Sequence, residues 1–303
     1  DSGAPSRPIL NPPTPANNST TRRGISYCEW RGVMNRSIEK MIGVITDRDP
    51  DYIMQFNSES ELMAFAKKLE GRRFSEICES IGKLDENHRK HTKGVAAKVV
   101  ETEYFGIPSN SSEKPDFEDL GIELKVSPLR YIERTDLYTT KERNVIKMVD
   151  YNEISENKHW KENKIISKLN RVLYVLYVHD KTVNAWEWKV VKTFLWSPSS
   201  QQDEKIQTDY EIMRSKVLNG ENLREGDHSF FATCPKHGGG YLKNSPLDSP
   251  RSSLAVHPVM GFAEKRGYCI KREAFIELIA DSIDAPLVKN GRTIGIRSDK
   301  LEL

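Results

Sequence analysis

Asp116, Glu123 and Lys125 are the residues of this chain whose types and spacing could do chemistry. In LGIELKVSP, Ile122, Leu124 and Val126 alternate with Glu123 and Lys125. That is the period of a half-buried strand, so Glu123 and Lys125 share one face. Asp116 precedes Glu123 by seven residues, across a turn. Two carboxylates brought together can hold a hard divalent cation such as Mg2+ through oxygen ligands. Such a cation polarises a phosphodiester and acidifies a bound water. A lysine beside them can orient that water or offset charge on the phosphate. The pattern alone is not specific. In a chain with 30% charged residues, an Asp and an ExK at a free gap arise by chance, and a solvated strand edge of alternating charge is the competing reading.

The elements that must position these residues can be read from periodicity. SESELMAFAKKLEG reads as a capped amphipathic helix with Leu62, Phe65, Ala66 and Leu69 on one face, ending at Gly71. FSEICESIG and KGVAAKVVETEYFG, the latter beginning near Lys93, read as two further helices. RVLYVLYV is nearly unbroken apolar sequence, the pattern of a central strand buried on both faces. AWEWKVVKTFLW alternates as another strand, DYEIMRSKVLNG reads as a helix closed by Gly220, and KREAFIELIADSI as a last helix. Helices and strands are interspersed, which implies a mixed α/β domain. Residues 58–303 form the expected folded domain. Residues 1–57 are an extension whose first part, rich in Pro, Ser, Thr and Asn, is too polar to order itself. WRGVMNRSIEKMIGVI within it has helical spacing.

The 303 residues carry 46 basic and 44 acidic side chains, a formal net charge of +2, so any DNA-facing surface must arise from segregated charge. No apolar run is long enough for a transmembrane helix, and no secretory leader pattern opens the chain. The four cysteines, Cys28, Cys78, Cys234 and Cys269, form no CxxC pair, so neither a disulfide framework nor a zinc site is expected. A reducing cytoplasm is the expected setting.

KPDFEDLGIELKVSP resembles the catalytic segment of the MutH family. That family comprises the methyl-directed mismatch-repair endonuclease and the Sau3A-type restriction enzymes that cut GATC. SELMAFAKKLEGRRFSEI, TKGVAAKVVE, SKLNRVLYV, FLWSP, the DYEIM helix, ATCPKHGGGY and RGYCIKREAF follow in the family's order, over about residues 58–285. The resemblance implies a restriction-endonuclease-like core, a central mixed sheet flanked by helices, with a DNA cleft between two lobes. It implies that Asp116 and Glu123 bind Mg2+ and that Lys125 is the motif lysine. It also implies a glutamate on the helix after the KG pair. Counting forward from Lys93 selects Glu101, whereas counting back from Gly106 lands on Thr102; Glu101 is preferred and Glu103 held in reserve. Lys168 aligns with a further lysine near the active site.

ATCPKHGGGYLKN sets Lys236, His237 and Lys243 around three glycines, which permit close backbone approach to DNA. In the family this region supplies the base-contacting loop. Here Cys234 stands where repair members carry Arg before the Pro-Lys pair. In RGYCIKR the family's adenine-sensing tyrosine aligns with Cys269, with Tyr268 one residue earlier. Lys93, Tyr268 and Lys271 join the expected DNA-facing set. The segment 130–154 resembles the restriction branch, and Lys141, Arg143 and Lys147 within it could line the DNA backbone or form a solvated face. The expected activity is a restriction-type endonuclease on double-stranded DNA, acting as a homodimer if it cuts both strands of a palindrome. A partner-activated nickase of mismatch repair and a non-catalytic DNA-binding module are the alternatives.

Overall fold

The computed structural model describes residues 54–80, 94–108, 112–236 and 254–301. They lie in one compact unit that begins at Arg48. The WRGVMNRSIEKMIGVI segment and Lys93, His237 and Lys243 fall outside the described residues. Met54 and Phe56 are already buried, and Phe56 packs against Phe65, Phe105 and Phe117, so the packed core takes in residues ahead of Ser58.

The first helix, α1 (Glu59–Ala66), is capped by the Ser58 side chain and buries Leu62, Phe65 and Ala66. α2 (Phe74–Ser80) follows. The third helix opens after Gly94, which sits at φ 75, runs as α3 (Val95–Ala97) and then widens into a π-helix over Lys98–Tyr104. Strands β1 (Glu123–Ile132), β2 (Leu137–Thr140) and β3 (Asn144–Met148) come next. The short helices α4 (Tyr151–Glu156) and α5 (Ile166–Leu169) lead into β4 (Val172–Val178) and β5 (Val190–Trp196).

The first half of AWEWKVVKTFLW is not strand. Asn184 accepts from the Trp186 amide and starts a 3-10 turn over Ala185–Glu187, which satisfies that backbone locally and delays the strand to Val190.

The long helix α6 (Ser200–Leu218) starts well before DYEIM because Ser199 and Gln202 form a reciprocal capping box, and it ends at Gly220, φ 69. β6 (Phe231–Pro235), the hairpin β7 (Leu254–His257) and β8 (Gly261–Glu264), β9 (Arg266–Ile270), α7 (Arg272–Ser282), β10 (Leu287–Asn290) and β11 (Thr293–Arg297) complete the chain.

The main sheet has the order β10-β11-β2-β1-β4-β5. β1 and β4 run parallel, with Glu123 opposite Val172 and Lys125 opposite Tyr174; the other pairs are antiparallel, so the sheet is mixed. β4 is buried along nearly its whole length, as its apolar run requires. A second sheet, β3-β9-β6, packs into the same core through Phe231, Tyr268 and Ile270, with Met213 and Val217 of α6 and Phe275 and Ile279 of α7. The mixed α/β class and the helix-flanked central sheet are as the sequence leads one to expect. Among the described residues no helix is long and apolar enough to cross a membrane.

One carboxylate ties α6 to the second sheet. Asp209 is 1% exposed and accepts from the amides of Ser229 (2.8 Å), Phe230 (2.7 Å) and Phe231 (2.8 Å). Removing it strands three amides at the entry to β6. Asp209→Ala is expected to lower stability in urea unfolding by roughly 3 kcal/mol or more, since each buried donor left unpaired costs about 1–3 kcal/mol; a loss below about 1 kcal/mol would mean that water replaces the carboxylate.

Candidate active site

The candidate site is built at the entry to β1. Asp116 is brought back to this strand by a tight reversal. Phe117 and Ile122 form an isolated antiparallel bridge, their amides donating to each other's carbonyls at 2.9 and 3.2 Å. The 3-10 turn Glu118–Leu120 and Gly121, at φ 65, close the loop between them. Asp116 Oδ2 then accepts from the Leu124 amide at 2.9 Å, beside Glu123. The other wall of Asp116 is an open cleft of about 280 Å³ that it shares with Met54, Phe56 and Lys114.

Glu123 is 3% exposed and is gripped from two sides. Lys125 Nζ donates to Oε1 at 2.5 Å and Lys168 Nζ to Oε2 at 2.8 Å. Lys168, 7% exposed, also donates to the Lys114 carbonyl. The same short helix α5 clasps the Asp116 loop a second time, through Ser167 Oγ to the Glu113 carbonyl at 2.7 Å. Lys164 and Lys147 pair with the Glu113 carboxylate at 3.0 and 3.4 Å. These clasps were not readable in advance, because Glu113 and α5 are separated by about fifty positions and show no pattern that marks a pair.

Glu101 reaches the same cluster. Its carboxyl is pushed above the usual range, first by burial and then by repulsion from Asp116, with Lys125 opposing and Glu123 adding. Glu123 is pushed up too, mainly by burial, with Lys125 pulling down and Asp116 pushing up. Glu101 lies in the π-turn Lys98–Tyr104, which holds an extra residue relative to an α-helix.

This donor set suits a hard cation. It is all oxygen, acidic and mutually repelling, and Asp116 and Glu123 are the pair that would hold the ion. Among the described residues no group of three or more His, Cys, Asp and Glu stands ready-made as a metal cage. A Mg2+ site needs no such cage, because the ion keeps several waters and takes one or two carboxylates plus substrate phosphate.

The DNA-facing set is less united. Lys236, partly buried, follows β6; its amide donates to the Lys265 carbonyl at 2.8 Å. Its stem lies over Gly267, where a Cβ would come within 3.0 Å of Cε. Cys234 and Cys269 lie under this segment as buried free thiols. Hydrogen bonding from Cys269 and the nearby cations Lys236 and Arg143 make Cys234 the more acidic of the two.

Tyr268 does not reach a surface that DNA could touch. It is 1% exposed, stacks on Phe231 at 5.3 Å between centroids and accepts from Asn163 Nδ2 at 3.4 Å. β9 is the middle strand of its sheet and is covered on both faces, so Cys269 is buried as well. Lys271 spends its ammonium on the His228 carbonyl at 2.9 Å. Lys141, Arg143 and Lys147 pair with Glu142, Glu225 and Glu113 at 2.7, 2.8 and 3.4 Å.

Residues 105–209 match the family model of the DNA mismatch repair enzyme MutH. This stretch of the chain is MutH-like. The MutH protein of Vibrio campbellii is 28% identical over 164 residues, covering 54% of this chain and 70% of the relative. The MutH protein of Salmonella newport is 29% identical over 166 residues, covering 54% and 68%. The type II restriction enzyme Sau3AI of Staphylococcus aureus is 27% identical over 183 residues, covering 59% of this chain but 36% of the relative. The MutH-matched stretch contains Asp116, Glu123, Lys125 and Lys168; Glu101 lies just before it, and Lys236, Tyr268 and Lys271 after it.

The raised carboxyl of Glu101 has a consequence for stability. A carboxyl whose folded pKa exceeds its unfolded value favours folding fully below the unfolded pKa, and that contribution is lost as pH rises through the folded pKa. Above that window the ionised Glu101 burdens the metal-free fold. Glu101→Gln is therefore expected to melt higher than the parent at pH 7–8 in EDTA, with the difference vanishing near pH 4. A variant that melts lower than the parent at pH 7 would show that Glu101 is not held against repulsion.

Proposed function

We propose that this protein is a sequence-specific, Mg2+-dependent DNA endonuclease of the restriction type, acting at GATC or a related site. The observation that carries the reading is the convergence of Glu101, Asp116, Glu123, Lys125 and Lys168 at one end of β1. Such a constellation on a MutH-like stretch serves phosphodiester hydrolysis, and residues kept in this arrangement speak against a module that only binds DNA.

Asp116 and Glu123 would hold the divalent cation, which supplies Lewis-acid polarisation of the scissile phosphate and acidification of a bound water. Lys125 sits beside Glu123 with its ammonium at the mouth of the site, where it offsets the charge that grows on the phosphate and orients the attacking water. Lys168 holds the second oxygen of Glu123 and so fixes the carboxylate and favours its ionised form. Glu101, whose carboxyl takes up a proton more readily than usual, is suited to accept the proton that the attacking water releases. Lys236 and the glycine-containing segment after it would approach the bases, and the duplex would lie across this face.

One constellation of this kind cuts one strand, so cutting both strands of a palindrome needs a homodimer or two successive events. A strand-nicking role in mismatch repair is the second reading. It is favoured by the match to the MutH model and by the larger share of the MutH relatives that the chain covers. The restriction reading is favoured by the segment 130–154 and its resemblance to the restriction branch.

Purified protein incubated with unmethylated supercoiled plasmid separates the two. Linear fragments sharing one end sequence, formed with Mg2+ and not with EDTA, are expected; nicked circles alone would select the repair reading, and product formed equally in EDTA would overturn the metal assignment. Asp116→Asn and Glu123→Gln are each expected to abolish cleavage with circular dichroism and DNA binding retained. Lys168→Met should lose about 10–100-fold, as positioning groups around a metal ligand do. Its acid limb should move to higher pH, because the Lys168 hydrogen bond holds the Glu123 carboxyl down.

A further inference from the structure

A second polar hollow lies at the far end of β1. The β2–β11 ladder consists of Ile296 opposite Tyr138 and Arg297 opposite Leu137. Beside it lies the hollow, of about 180 Å³, lined in part by Thr139 and Thr140 of β2 and Thr293 and Ile294 of β11. The first turn of α7 forms another wall through Arg272 and Glu273.

Three arginines are among the residues that line this hollow: Arg130 from β1, Arg272 from α7 and Arg292 from the β10–β11 turn. All three residues are exposed. Arg272 gives one donor to the Thr140 carbonyl at 3.2 Å. Among the described residues none of the three forms an ion pair, and Glu273 is the one carboxylate on the lining; three positive charges less one leave +2. The contrast with Lys141, Arg143 and Lys147, each held by a carboxylate, is plain.

The helix adds to the same field. α7 has eleven residues, and its N-cap, Lys271, makes no side-chain cap bond, so the positive end of the helix adds to the field there, with Glu273 in the first turn opposing it. Like charges crowded around one hollow repel unless an anion sits among them, and guanidinium forks with a helix N-terminus are the donors that tetrahedral oxyanions take.

We propose that this hollow binds a phosphate group. It is separate from the candidate active site: Arg130 is seven residues along β1 from Glu123, about 23 Å at strand rise. The phosphate can come from a free phosphorylated small molecule or from the backbone of nucleic acid outside the cleavage site, and the chemistry of recognition is the same. The proposal does not depend on the nuclease reading, and its test measures no cleavage.

The test compares the full chain with the double variant Arg130→Ala/Arg292→Ala, whose changed side chains are exposed and outside the core. Inorganic phosphate is titrated calorimetrically at constant ionic strength against chloride. A duplex is titrated in EDTA over a range of salt. With the free source, the parent binds phosphate saturably and the variant binds at least about tenfold more weakly, as loss of charged hydrogen bonds demands. With the backbone source, the slope of log K against log salt falls by about one or two in the variant. Either change supports the site and names its source; a folded variant that matches the parent in both titrations overturns it.

Discussion

The buried carboxylate of Glu123 is the constraint on which the site depends. An ionised carboxylate at 3% exposure is tolerated only with partners that replace water. Lys125 meets one oxygen from the same strand, two positions on. Lys168 meets the other from a helix that precedes the neighbouring strand. The parallel β1–β4 pairing makes this possible, because it brings the entries of both strands to one edge of the sheet, with Glu123 opposite Val172. An antiparallel partner would have put α5 at the other end of β1. The same helix, through Ser167 and Lys168, also fixes the loop that delivers Asp116. One short helix therefore sets both carboxylates, and the geometry of the acidic pair is only as firm as its two lysine-side clasps.

The cluster is held against its own repulsion. Burial and neighbouring negative charge push up the carboxyls of Glu101 and Glu123, and two lysines offset only part of that. Such tension is usual where a fold keeps a polar site ready for charge that arrives later. The offset comes from core elsewhere: β4 buried on both faces, and the aromatic group of Phe56, Phe65, Phe105 and Phe117 that packs under the Asp116 loop.

Much of this was legible in the residues. Alternation alone put Glu123 and Lys125 on one face, and the unbroken apolar run of β4 announced a strand covered on both sides. The elements held together by distant partners were not legible. Nothing local marks α5 as the clasp of residues 113–116. Asp209 did carry a signal: it occupies the apolar stripe of Ile206, Tyr210, Met213 and Val217, and an aspartate in such a stripe must find buried donors. Tyr268 misled for the opposite reason. The resemblance of RGYCIKR to the family's adenine-sensing region implies a DNA-facing residue, but side-chain type does not reveal that a strand is the middle one of three. Packing on both faces of β9 then turns an amphipathic residue into core.

On the proposed reading, that burial limits where contacts to DNA bases could come from. With β9 closed to solvent, the second sheet offers side chains to a ligand at its strand ends rather than along its face. Lys236 stands at such an end, its stem laid over Gly267, and the path from Asp209 through the amides of residues 229–231 to β6 holds that end in place. Arg266 does the same from β9, donating through Nε to Thr233 Oγ1 at 2.8 Å and through Nη2 to the Thr233 carbonyl at 3.0 Å. On the proposed reading, recognition and chemistry would rest on different sheets joined by one core. A change in α6 could loosen the first without touching the second, whereas a change in α5 would strike the carboxylates directly.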